Sequence, residues 1–152
     1  MHMEQLAPLI IDAVSNGRNF LLCPKGTSML PTIRPEKDYV LLSSPDRISK
    51  YDLVLFKRNS GDFALHRIVK CCKNNTYTLC GDNQISLEKG ITKPQIIAKV
   101  TAIHRNRGDR IIDTTTKANF IYAFAIRTLM FSKRCIVLIG SKILKTLKKS
   151  KH

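Results

Sequence analysis

Leu53-Val54-Leu55-Phe56-Lys57-Arg58, then Asn59-Ser60-Gly61-Asp62, then Phe63-Ala64-Leu65-His66-Arg67-Ile68-Val69-Lys70 is the stretch that decides the fold. Both outer runs are rich in branched and aromatic residues, and the polar residues between them include Gly61, so two strands joined by a tight turn are expected. Within the second run Phe63, Leu65 and Arg67 fall on one side and Ala64, His66 and Ile68 on the other. Apolar residues in both sets predict a strand covered on both faces, central in its sheet. Working outward, residues 19–23, 39–43, 76–80, 95–104 and 110–113 also read as short strands. Turn formers separate them: Pro35 with Asp38, Ser43-Ser44-Pro45-Asp46, Asn74-Asn75 and Gly108-Asp109.

Ahead of these runs, Leu6, Leu9, Ile10, Ala13 and Val14 recur at helical spacing and Gly17 is placed to stop the helix. Pro8 fits such a helix only in its first turn. The expected fold class is mainly β: a compact, antiparallel, barrel-like β domain with a short N-terminal helix over residues 1–116. A basic amphipathic helical tail follows over 117–152. In that tail Ile136, Ile139, Ile143 and Leu147 share one face while Lys142, Lys145 and Lys149 share another.

The charge is unevenly placed. Of 26 Lys and Arg against 11 Asp and Glu, nine basic and no acidic residues lie from Lys117 onward, which leaves the β domain only mildly basic. Clustered cations of this kind suit a polyanion, and an anionic membrane surface met through 117–152 is the expected contact. Charge alone does not separate lipid from nucleic acid, but no nucleic-acid recognition module is present, which disfavours the latter. The apolar stretch 118–147 is interrupted by Arg127, Lys133, Arg134 and Lys142, so it is expected to lie on a surface rather than cross a membrane. No secretory leader is legible, and a membrane-associated or cytoplasmic location is expected. The five cysteines, Cys23, Cys71, Cys72, Cys80 and Cys135, are odd in number and lack the two-residue gap of a zinc ribbon. Reduced thiols are expected, with no metal site and no cofactor.

The chemistry concentrates in three runs. Ser28 lies in Lys25-Gly26-Thr27-Ser28-Met29-Leu30-Pro31-Thr32, a loop that Gly26 lets turn and Pro31 stiffens. A serine hydroxyl attacks a carbonyl only when a base takes its proton and donors receive the developing charge. His66 is the candidate base, since an imidazole can accept a proton near neutral pH and return it to a leaving amine. His2, His104 and His152 lack such a context. Gly81-Asp82-Asn83 follows a strand and reads equally as a plain turn or as the source of a carboxylate that orients the imidazole. Asp82 or Glu88 fits that role.

Together these runs resemble the signal peptidase I superfamily of S24/S26-type serine peptidases, which also contains the self-cleaving SOS-type repressors. The likeness spans residues 23–103: Gly26-Thr27-Ser28-Met29-Leu30-Pro31-Thr32, Tyr39-Val40-Leu41-Leu42, Asp52-Leu53-Val54-Leu55-Phe56, His66-Arg67-Ile68-Val69 and Gly81-Asp82-Asn83, in that order. It is similar to the branch with histidine as base, in which an aspartate follows the Gly-Asp-Asn run; Glu88 stands there here. The resemblance implies a serine endopeptidase that cleaves an extended peptide, or a leader or signal peptide, through an acyl-enzyme on Ser28 with His66 as general base. It also implies an oxyanion hole of backbone amides at Ser28 and Gly26, and small substrate side chains one and three residues before the cut. The helix ending near Gly17 is too short and amphipathic for the family's membrane anchor. The alternative is an inactive β module that binds peptide, membrane or nucleic acid. A self-processing regulator fits less well, because too few residues precede the first strand for a DNA-binding domain.

Overall fold

The computed structural model describes residues 3–132. Helix α1 (Met3–Ser15) leads into strands β1 (Phe20–Leu22), β2 (Tyr39–Ser43), β3 (Leu53–Lys57), β4 (Phe63–Cys71), β5 (Thr76–Cys80), β6 (Glu88–Thr92), β7 (Ile96–Arg105) and β8 (Arg110–Asp113). A second helix, α2, occupies residues 117–132 of the described chain.

The turn at Gly61 forms as its sequence predicts. Arg58 N–H donates to Asp62 O at 2.8 Å, Gly61 N–H donates to Arg58 O at 3.0 Å, and Gly61 adopts φ +97°, which a residue with a Cβ resists. Beyond it β3 and β4 pair in register, Leu53 opposite Arg67 and Lys57 opposite Phe63. β4 then lies between β3 and β5, as the apolar residues on both its faces require.

All eight strands join one antiparallel sheet in the order β1-β2-β7-β3-β4-β5-β6, with β8 also on β7. One edge of β7 pairs with β2, while its other edge is shared: Ile96 to Lys99 face β3 and Ala102 to Arg105 face β8. The sheet is not closed, so the architecture is antiparallel β without a completed barrel. β3 divides the interior. Leu53 and Leu55 enter one core with Ile10 and Val14 of α1, Met29, Ile33, Val40 and Leu42. Val54 and Phe56 enter a second core with Ile68, Tyr77, Leu79 and Ile91.

β6 was not expected from the sequence, because Glu88-Lys89-Gly90-Ile91-Thr92 offers only Ile91 as a buried apolar residue. Its pairing with β5, Tyr77 opposite Ile91 and Leu79 opposite Glu88, makes the strand. In α1, Pro8 lies past the first turn. It withdraws the donor that the Glu4 carbonyl would otherwise meet, and Glu4 is exposed at the helix start, where water can replace the lost bond. Gly17 ends the helix as predicted, at φ +70°, with Arg18 N–H donating to Ala13 O at 2.9 Å and Gly17 N–H to Val14 O at 3.2 Å.

The described part of the basic segment packs on the β domain. Ala123 and Ile126 of α2 are buried, and the Phe120 and Tyr51 rings meet edge-on with centroids 4.9 Å apart. Arg127 Nη1 donates to Gly81 O at 3.2 Å, and the Tyr122 hydroxyl lies 3.2 Å from Thr32 Oγ1. The expected stripes of Ile136, Ile139, Ile143 and Leu147 and of Lys142, Lys145 and Lys149 lie outside the described residues.

Candidate active site

Ser28 sits on a tight turn between β1 and β2, anchored by the buried side chains of Met29 and Ile33. Leu30 N–H donates to Thr27 O at 3.2 Å and Ile33 N–H to Met29 O at 2.9 Å, and the Leu30–Pro31 peptide bond is cis. The Gly81-Asp82-Asn83 turn is built directly against this loop. Asn83 N–H donates to Ser28 O at 2.8 Å, and a Cβ on Gly81 would stand 2.6 Å from that same oxygen. Only glycine permits such an approach. The turn therefore fixes the backbone that carries the candidate nucleophile.

Asp82 is fully buried and its carboxylate is committed elsewhere. Arg67 Nε donates to Oδ1 at 2.8 Å and Nη2 to Oδ2 at 2.6 Å, while Arg67 Nη1 donates to Tyr51 O at 2.9 Å. The Thr32 hydroxyl also donates to Asp82 Oδ2. Asp82 thus ties the center of β4 to the far end of the Ser28 loop. It braces the loop and does not meet the imidazole.

The carboxylate at His66 is Glu88. Glu88 Oε1 lies 3.0 Å from His66 Nδ1, close in distance but poorly aligned, so Nδ1 has no well-formed hydrogen bond although its ring is buried. Glu88 is in turn gripped by Arg58, whose Nε donates to Oε2 at 2.8 Å and Nη2 to Oε1 at 2.7 Å. One oxygen of Glu88 is therefore shared between guanidinium and imidazole. Asp82 and Glu88, which the sequence leaves as alternatives, are separated by their partners.

Electrostatics follow from this arrangement. Burial holds the His66 pKa below the ordinary histidine value; the Glu88 charge raises it, and the Arg58 charge lowers it again. The imidazole is accordingly neutral near pH 7, the form in which it accepts a proton. Arg58, through its hydrogen bonds, keeps Glu88 below the usual carboxylate range and so ionised. With Nδ1 turned to Glu88, Nε2 is the ring nitrogen left to take a proton, and Ser28 and His66 line one cavity of about 600 Å³.

Sequence reasoning missed Arg58. It closes a β-leaning run beside a turn, and nothing local distinguishes it from a solvated cation; only the pairing of β6 onto β5 brings Glu88 to it. Among the described residues no group of three or more His, Cys, Asp or Glu side chains is placed to hold a metal ion, and no helix is long and apolar enough to cross a membrane. No family model matches the chain, and no curated protein matches it.

Proposed function

We propose that this protein is a serine endopeptidase in which Ser28 is the nucleophile, His66 the general base and Glu88 the carboxylate that orients the imidazole. The observation that carries this reading is that Ser28 and His66 line one cavity while Glu88 stands 3.0 Å from His66 Nδ1. His66 takes the Ser28 proton as the oxygen attacks a peptide carbonyl, and the imidazolium returns that proton to the departing amine. Water, deprotonated by the same imidazole, then releases the acyl group. The Ser28 and Gly26 backbone amides are the donors suited to the oxyanion, since glycine brings no side-chain donor.

An extended peptide suits the site. Residues 63–66 pair with β3 on one edge, whereas β5 joins β4 only from Arg67, so the other edge of 63–66 has no partner strand among the described residues. A peptide can add to that edge through main-chain hydrogen bonds. The ordered runs around Ser28, His66 and Asp82, which resemble the signal peptidase I superfamily, support the same reaction class. The test is cleavage of a peptide library together with labelling by a fluorophosphonate. Ser28→Ala and His66→Ala are each expected to lower turnover by about 10³-fold or more and Ser28→Ala to abolish labelling; unchanged turnover in Ser28→Ala refutes the assignment and leaves a binding module.

The reading extends to peripheral contact with an anionic bilayer through α2, whose Ile121, Phe124, Leu129 and Phe131 are 56–67% exposed beside a cationic tail. Phe124→Ser with Leu129→Ser is expected to weaken co-sedimentation with phosphatidylglycerol vesicles several-fold. Equal sedimentation counts against that contact.

A further inference from the structure

The cavity shared by Ser28 and His66 is far larger than a small side chain needs. Its volume is about 600 Å³, and much of its wall is apolar: Met3 and Leu6 from α1, Leu22 from β1, Leu55 from β3, and Phe63 and Leu65 from β4. Arg58 also reaches the cavity, but its guanidinium is occupied by Glu88. Met3 and Leu6 are only partly buried although they pack against the core, so these α1 side chains present apolar surface to the space beside the nucleophile. A substrate methyl group would leave nearly all of this wall in contact with water, whereas a leucine, methionine or phenylalanine side chain would cover several times more of it.

We propose that the cavity selects a bulky apolar side chain in the residues flanking the scissile bond, and that α1 is the wall that sets its depth. This rests on the serine peptidase reading above and departs from the small side chains that the family resemblance implies. The occupant is a segment of a peptide substrate, because the candidate nucleophile and base open into the same space and the free edge of residues 63–66 runs along it. Leu6 is the specificity-determining residue. It lies on α1 and takes no part in proton transfer, so altering it changes the shape of the wall without touching Ser28, His66 or Glu88.

The experiment uses the full chain and a peptide library read by mass spectrometry of the products. Leu, Met or Phe at a flanking position is expected to raise kcat/KM at least tenfold over Ala at that position, in line with the discrimination a hydrophobic pocket gives per added carbon. Leu6→Trp, which shortens the cavity, is expected to erase that preference, and Leu6→Ala to move it towards Phe. Ser28-dependent cleavage that favours Ala overturns the specificity while leaving the peptidase reading intact. If no Ser28-dependent cleavage occurs, the peptidase reading fails. The cavity is then judged on binding of fluorescein-labelled Leu and Ala peptides to Ser28→Ala protein: tighter binding of the Leu peptide, lost in Leu6→Trp, supports it, and equal binding overturns it. Circular dichroism of each Leu6 variant separates a reshaped cavity from a disrupted α1.

Discussion

Two arginine–carboxylate pairs meet adjacent residues of β4, one through Arg67 itself and the other beside His66, and they differ in nearly everything but their chemistry. Arg67 and Asp82 are both fully buried, and each has a further partner, Tyr51 O for the guanidinium and the Thr32 hydroxyl for the carboxylate. Arg58 and Glu88 are 34% and 23% exposed, and Glu88 has a further neighbor in a buried imidazole that has no well-formed hydrogen bond at Nδ1. A fully buried pair held at both ends is a fixed brace. A pair at the rim of a cavity, with one oxygen still shared with a titratable ring, can respond to a proton. The lesson is that burial and the remaining partners, rather than the identity of the acid, divide support from chemistry.

The largest expected effect comes from breaking the brace. Asp82→Ala strands the Arg67 guanidinium in the interior and is expected to cost about 3–5 kcal/mol of stability. The shift in denaturation midpoint measures it. Glu88→Gln sits in water-accessible surroundings and is expected to change stability by about 1 kcal/mol or less. If the two variants destabilise equally, the division between buried brace and rim pair is wrong.

On the proposed peptidase activity Glu88 gives the more direct test. Glu88→Gln keeps an oxygen near Nδ1 but removes the charge that stabilises an imidazolium, and about a 10²-fold fall in kcat is expected. Because the Glu88 charge raises the His66 pKa, its loss should also move the acid limb of the pH–rate profile to lower pH. Arg58→Met acts in the opposite sense on that limb. The Arg58 charge lowers the His66 pKa, so its removal moves the limb to higher pH, with a loss of about tenfold in kcat from a less firmly held Glu88. Shifts of the same sign in both variants would break the electrostatic account of this pair.

The same contrast explains what could be read before the structure. The β3–β4 turn, the central position of β4 and the stop at Gly17 depend on neighbors in sequence, and their residues declare them. The pairing of Glu88 with Arg58 spans 30 positions and depends on β6, a strand with one buried apolar residue that exists because β5 offers it a ladder. Asp82 and Glu88 look interchangeable in sequence, since both are acids beyond a strand. Only the arginine each meets separates them, a buried one for Asp82 and a partly exposed one for Glu88. The open sheet has a similar origin: strand patterns specify which residues are covered, but the two partners sharing one edge of β7 are set by tertiary packing.

The smallest predicted effect tests the His66 side of the comparison through stability. Burial depresses the folded-state pKa of His66, so the unfolded chain binds the proton more readily. Stability from keeping the ring neutral is fully present above the unfolded value of about 6.5 and is lost as pH falls from there through the folded value, at no more than about 1.4 kcal/mol per pH unit. Asp38 is also depressed: burial opposes its charge, but hydrogen bonds from Arg34 and Arg105 outweigh it. Its contribution fades only below the ordinary aspartate range, near pH 4, so the two windows are distinct. Denaturant titrations from pH 8 to 5 should therefore show a decline in the native protein that His66→Gln lacks. In Glu88→Gln the decline should continue to lower pH, because without the carboxylate the folded-state pKa of the ring drops further. Parallel curves for the native protein and His66→Gln would mean that the ring is protonated as easily in the fold as out of it, and the distinction between a buried pair and a responsive one would lose its basis.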